Sequence, residues 1–269
     1  MSIPVRKPYH SGRRKLVLAF DVGTTYSGIS YTLLDPGAIP QINGVTRYVW
    51  RYWRLDSLTI CRFPAQETVG GDSKIPSILY YNQEGQLCAA GAEALQEKII
   101  ERADEETWIK LEWCLLIIFR YRSFAKVQPY RWKLHLRPKG LNLSQVDDSD
   151  IPQLPRNKSA VEVLGDFLKY LFECARTYIQ DTHASGKELW KSIQNDIDFV
   201  LTHPNGWEGA QQSQIRRAAV LAGLIPDNQR GQSRVQFVTE GEASLHFCLG
   251  CGLTTDTVFY RLAHFGPAH

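Results

Sequence analysis

The chain has 269 residues, 43% of them hydrophobic and 22% charged, with a formal net charge of +3. This composition reads as a soluble, globular protein with enough apolar material for a core, organised as one large domain or two smaller ones. The longest uninterrupted apolar run, Cys114 to Phe119, falls far below the roughly 20 residues that a membrane helix needs, so no membrane partner is expected.

Residues 1–14 carry Arg6, Lys7, Arg13 and Arg14 without an apolar run that would make a signal peptide. Pro4, Pro8 and Gly12 argue against an amphipathic helix, so a disordered basic tail is expected. The six cysteines are scattered through apolar surroundings, which fits reduced, buried thiols and a cytoplasmic setting. Cys248 and Cys251 have C-x-x-C spacing, but no second Cys or His pair follows to complete a zinc site.

Leu16 to Ala19 has the length and composition of a buried strand, and Ile29 to Leu34 that of a second. Between them lies Phe20-Asp21-Val22-Gly23-Thr24-Thr25-Tyr26-Ser27-Gly28. A hairpin with this turn suits a phosphate tail. Gly23 lets backbone approach a ligand closely, and Thr24 and Thr25 supply hydroxyl and N–H donors. Asp21, at the strand end, suits the water shell of a magnesium ion, which prefers carboxylate and water ligands. The plainer reading is an ordinary hairpin turn, in which Gly and Thr are common.

Two segments, 48–62 and 114–131, interleave aromatics with arginines, a pattern suited to stacking and neutralising single-stranded nucleic acid. Together they carry a net +6 against +3 for the whole chain, leaving −3 for the remainder. The body of the protein therefore has no general basic face, and nucleic acid is not an expected partner.

Lys74 to Tyr81 reads as one strand, Asn82 to Gly85 as a turn, and Gly91 to Arg102 as a helix. The polar, proline-bearing stretch 136–155 reads as a long loop. Ser159 opens a helix over 160–180, with Val161, Leu164, Phe167, Leu168, Leu171, Phe172 and Ala175 spaced for one apolar face. Asp196 to Thr202 reads as a strand, Ala210 to Ala222 as a helix stopped by Gly223, Val235 to Val238 as a strand, and Glu240 to Leu249 as a helix. Strands alternating with helices predict an α/β sheet architecture.

Four stretches in order resemble the nucleotide-binding domain of the 70-kDa heat-shock (DnaK-type) family, within the actin and sugar-kinase superfamily. Leu18 to Gly28 is similar to its first phosphate loop, and Ile75-Pro76-Ser77-Ile78-Leu79-Tyr80 to the strand carrying T-P-S. Pro204 to Leu224 resembles its strand–turn–helix ending in A-G-L, and Val238-Thr239-Glu240-Gly241-Glu242-Ala243-Ser244-Leu245 the segment usually written N-E-P-T-A-A-A. The resemblance spans about residues 15–250 and points to a divergent, large-insert branch.

The resemblance implies an actin-like ATPase (ribonuclease H-like) fold, with ATP or ADP and Mg2+ as ligands and client proteins or co-chaperones as partners. Asp21, Gly23, Thr24, Thr25 and Tyr26 would then be phosphate-loop residues, with Asp21 holding the metal through water. Glu240 would orient metal-bound water for in-line attack. Two departures bear on turnover: Leu95 stands where the family has a phosphate-contacting lysine, and Gly241 stands where it has proline.

The family's second phosphate loop and second lobe have no counterpart after Leu249, and residues 251–269 match nothing in it. The expectation is therefore one lobe of two, a truncated ATP-binding module that does not hydrolyse ATP as this chain stands. A pseudo-ATPase used for protein binding and a sugar or polyol kinase are the alternatives. Excising 48–62 and 114–131 would leave junctions that resemble continuous family sequence, so the two segments are either genuine insertions or translated introns.

Overall fold

A computed structural model describes residues 7–23, 25–45, 74–111, 136 and 154–250. The predicted segments 48–62, 114–131 and 251–269 lie outside the described residues, as does Thr24.

Strand β1 (Lys15–Val22) turns back into β2 (Tyr26–Leu34) as an antiparallel hairpin in which Asp21 faces Gly28 and Lys15 faces Leu34. Alternation sorts β1 into two faces: Leu16, Leu18, Phe20 and Val22 are buried, while Lys15, Val17, Ala19 and Asp21 are half-buried. The short β3 (Asn43–Gly44) and β4 (Lys74–Pro76) both run antiparallel to β2, at different points along it. On the other side of β1 lie β8 (Ile197–His203) and then β9 (Val235–Thr239), both parallel to it. The main sheet thus reads β3-β2-β1-β8-β9, with β4 also on β2. It is a mixed sheet in an α/β arrangement.

A second sheet, order β6-β5-β7, is antiparallel and is formed by β5 (Leu79–Tyr81), β6 (Leu87–Ala90) and β7 (Ile109–Leu111). The single strand expected over 74–81 is therefore two strands in two sheets. Ser77 is the break: its N–H donates to the Thr25 carbonyl, and the chain then leaves β2 to pair with β6 and β7. A 3-10 turn (Gly91–Leu95) and helix α1 (Glu97–Glu105) follow β6, close to the helical stretch the sequence predicts.

Helix α2 (Ala160–Thr182) begins with a reciprocal cap. Ser159 Oγ accepts from the Glu162 N–H at 3.3 Å, and Glu162 Oε2 accepts from the Ser159 N–H at 2.8 Å. Its inner face is centred on Val163, Leu164, Phe167, Leu168, Leu171, Cys174, Ala175, Tyr178 and Ile179. The expected Val161 and Phe172 sit on the flanks of that face, partly buried. Beyond α3 (Gly186–Ile193) and β8 comes α4 (Ala210–Leu221), followed by Gly223 with φ +74°, the left-handed conformation that favours glycine after a helix end. Short α5 (Gln229–Gln232) leads into β9, and α6 (Glu240–Gly250) follows it directly.

The main core lies between the buried face of the sheet and helices α2 and α4. Leu16, Leu18, Phe20, Phe199 and Leu201 meet Phe167, Leu171, Ile215 and Ala218 there, with Phe20 and Phe199 ring centroids 6.1 Å apart. Each large side chain buried in this way contributes about 1.5–3 kcal/mol. Leu136, expected in a loop, is buried in this core. A smaller cluster, Ile78, Tyr80, Ala89, Ala94 and Ala103, lies beneath the second sheet.

Part of the stretch read as a disordered tail is tied down. Tyr9 exchanges backbone hydrogen bonds with Gly37 and Ala38, and Arg13 pairs with Asp196 at 2.6 Å. Among the described residues no helix is long and apolar enough to cross a membrane.

Candidate phosphate-binding edge

Three parallel strands, β1, β8 and β9, end on one edge of the main sheet, and the predicted site residues gather there. At this point the chain leaves β1 for β2 on one side, and leaves the neighbouring β8, through α4 and α5, for β9 on the other. In open α/β sheets such a divergence at the carboxyl ends of strands forms a crevice in which ligands bind.

Asp21 stands on this edge with its side chain 39% exposed. Its Oδ1 accepts from Thr202 Oγ1 at 2.8 Å, and its Oδ2 accepts from Lys74 Nζ at 2.8 Å. A part-exposed carboxylate is a ligand type that a hydrated Mg2+ accepts, so Asp21 fits the predicted metal, which would take the carboxylate in exchange for the Lys74 ammonium.

The β1–β2 turn is fixed from beneath by a buried pair of serines. Ser77 Oγ donates to the Gly23 carbonyl at 2.9 Å. A hydroxyl has one hydrogen, so the 2.8 Å contact between Ser27 Oγ and Ser77 Oγ has Ser27 as its donor. Hydrogen bonds therefore run Ser27 to Ser77 to Gly23. With the Ser77 N–H on the Thr25 carbonyl at 2.9 Å, two turn carbonyls are held inward. Glycine at position 23 has a reason besides ligand approach, since a β-carbon there would come within 2.2 Å of the Tyr26 carbonyl oxygen. Tyr26 opens β2 opposite Pro76 and is 42% exposed beside the turn.

Glu240 is the exposed first residue of α6, at the end of β9 on the same edge. At about 4.8 Å per strand, the backbone of β9 lies roughly 10 Å from that of β1, with β8 between them. The turn into α6 is fixed by its neighbours: Thr239 N–H donates to Glu242 Oε2 at 2.9 Å, and Glu242 N–H to Thr239 Oγ1 at 3.1 Å. The Thr239 N–H and the Thr239 hydroxyl, which donates to the same Oε2 at 3.0 Å, hold the Glu242 carboxyl below its usual range. Capping is thus the joint work of Thr239 and Glu242.

Sequence reading missed Thr202, Lys74, Ser27 and Ser77. Thr202 was legible only as the end of a strand before His203-Pro204; its place beside Asp21 comes from the parallel β1–β8 register. Lys74 gave no signal, because its role depends on pairing across two strands. Leu95 is partly buried against the smaller cluster, alongside Ile99 and Trp108. Behind the edge, an apolar cavity of about 20 Å3 lined by Val22, Leu168, Trp207 and Ile215 is large enough for one water, so a ligand would sit on the open edge.

Fold and edge together define an α/β protein with a mixed sheet and a carboxylate, Asp21, at its parallel strand ends. No protein-family model matches the chain, and no curated protein matches it.

Proposed function

We propose that the β1–β2 turn and Asp21 bind the phosphates of ATP and its Mg2+, in one lobe of an actin-like (ribonuclease H-like) nucleotide-binding domain akin to that of the 70-kDa heat-shock family. The observation that carries this reading is the meeting of Asp21, Thr202 and a serine-pinned glycine turn at the point where the sheet connections diverge. Asp21 would take a water of the metal, the turn would face the phosphates, and Glu240 would orient metal-bound water from across the edge. The bound metal would neutralise phosphate charge.

Titration with MgATP, followed by backbone amide shifts, tests the assignment even at millimolar affinity. Saturating shifts confined to Gly23, Thr25, Gly28, Thr202 and Glu240, and lost in Asp21→Asn, are expected. Shifts spread without locality, or unchanged in Asp21→Asn, would overturn it.

A second reading, nucleotide binding without turnover, is favoured by Leu95, which packs where the resemblance expects a cation. A hydrolysis assay on a counterpart carrying both lobes separates the two. Phosphate release lost in Glu240→Gln supports the ATPase, and none above buffer supports the pseudo-ATPase.

A further inference from the structure

The Lys74 ammonium reaches Asp21 across a whole intervening strand. Asp21 is paired with Gly28 in the hairpin, and Gly28 is paired with Lys74 in the β2–β4 ladder, so the three residues lie in one row across the sheet. Directly opposed residues in antiparallel pairs project to the same face. Two strand spacings, about 10 Å, separate the backbones of residues 21 and 74. Because the middle residue is glycine, no side chain stands in the path, and the Lys74 stem crosses Gly28 to put Nζ 2.8 Å from Asp21 Oδ2. A cation thus sits beside the turn, supplied by a residue far from Leu95.

We infer that Lys74 is the phosphate-contacting cation of this edge, parked on Asp21 until a metal–polyphosphate complex takes over the carboxylate. The assignment rests on the reading of the edge as a phosphate site and adds to it a residue and an exchange. The parked pair is readily broken: with side chains 54% and 39% exposed, it is screened by water, and exposed pairs of this kind are weak. A divalent ion carries twice the charge and displaces the ammonium from Asp21. The released Nζ then lies within a side chain's swing of the turn and meets the phosphate oxygens the metal brings. Lys74 is therefore a competitor of the bare metal and an ally of the metal–phosphate complex, two effects of opposite sign.

That opposition supplies the test. Mn2+ binding, read by electron paramagnetic resonance, and MgATP binding, read by amide shifts, are compared in the full chain and in Lys74→Met. Expected is Mn2+ binding up to about fivefold tighter, because the competing ion pair is gone, with MgATP binding about tenfold weaker. Gly28→Val places a side chain between the two residues and should reproduce the tighter Mn2+ binding with lysine still present. Lys74→Arg should retain most of the MgATP affinity. Both affinities falling together in Lys74→Met, or neither changing while the wild type binds, would overturn the role of Lys74 and leave the edge standing. Wild-type protein that binds neither probe would overturn both.

Discussion

Removing the hydroxyl of Ser77 should cost much more than removing that of Ser27, although the two oxygens touch each other and both residues are buried. The asymmetry follows from the direction of the hydrogen bonds. In Ser77→Ala the Gly23 carbonyl loses its donor and the Ser27 hydroxyl loses its acceptor, leaving a half-buried and a buried group unsatisfied. At about 1–3 kcal/mol for each orphaned group, the expected loss is about 2–6 kcal/mol. In Ser27→Ala the bond from Ser77 to Gly23 survives and one donor disappears, for a loss of about 1 kcal/mol. The double variant should cost no more than Ser77→Ala alone, because the orphaned Ser27 hydroxyl is then gone. That non-additivity amounts to a coupling of roughly 1 kcal/mol. Urea unfolding of the four proteins gives the cycle, provided the slopes agree. Equal losses for the two single variants, or costs that simply add, would refute the hydrogen-bond direction and with it the serine pin.

Three further outcomes can be checked. Gly23→Ala should lose about 1–3 kcal/mol and shift the amides of residues 25–28, since its β-carbon must displace the Tyr26 carbonyl. Wild-type-like stability and shifts would contradict that. Burial lowers the pKa of His183, whose Nε2 shares a hydrogen bond with the Tyr31 hydroxyl at 3.0 Å. The unfolded chain therefore binds the proton first, and stability should fall as pH drops below about 6.5. In His183→Gln, urea midpoints from pH 8 to 5 should decline less steeply, and an unchanged slope would remove His183 as the cause. Burial pushes the Cys174 thiol up to about 12, so a thiol reagent at pH 8 should label exposed Cys88 and spare Cys174 until the protein unfolds. Peptide mapping that finds Cys174 modified in the native protein would contradict its placement in the core.

Local chemistry made much of the fold legible. The hairpin over 15–34, the capped helix from Ser159, the strand at 197–203 and the stop at Gly223 each announce themselves within a few residues, through alternation, a capping pair or a glycine. The break at Ser77 did not, because Ile75 to Tyr81 is continuously apolar around one serine. What divides it is a change of partner from β2 to β6 and β7, a tertiary choice. Strands β6 and β7, three or four residues each, are too short to show a period and form because β5 lies between them. The same limit applies to the site. Asp21 and Gly23 stand out in a motif, whereas Thr202 and Lys74 acquire meaning from a parallel register and from a row of three residues crossing Gly28.

The bond between Asp21 and Thr202 joins residues 181 positions apart, so it forms late in the life of the chain. During synthesis the β1–β2 hairpin leaves the ribosome long before β8 has been translated. Until β8 arrives, β1 is an edge strand showing Leu16, Leu18 and Phe20 without the helices that later cover them, a template for pairing with other chains. Slow, long-range closure of the β1–β8 pair both completes the carboxylate edge and ends that exposure. For this protein, completing the Asp21–Thr202 edge and covering the exposed strand are one kinetic event.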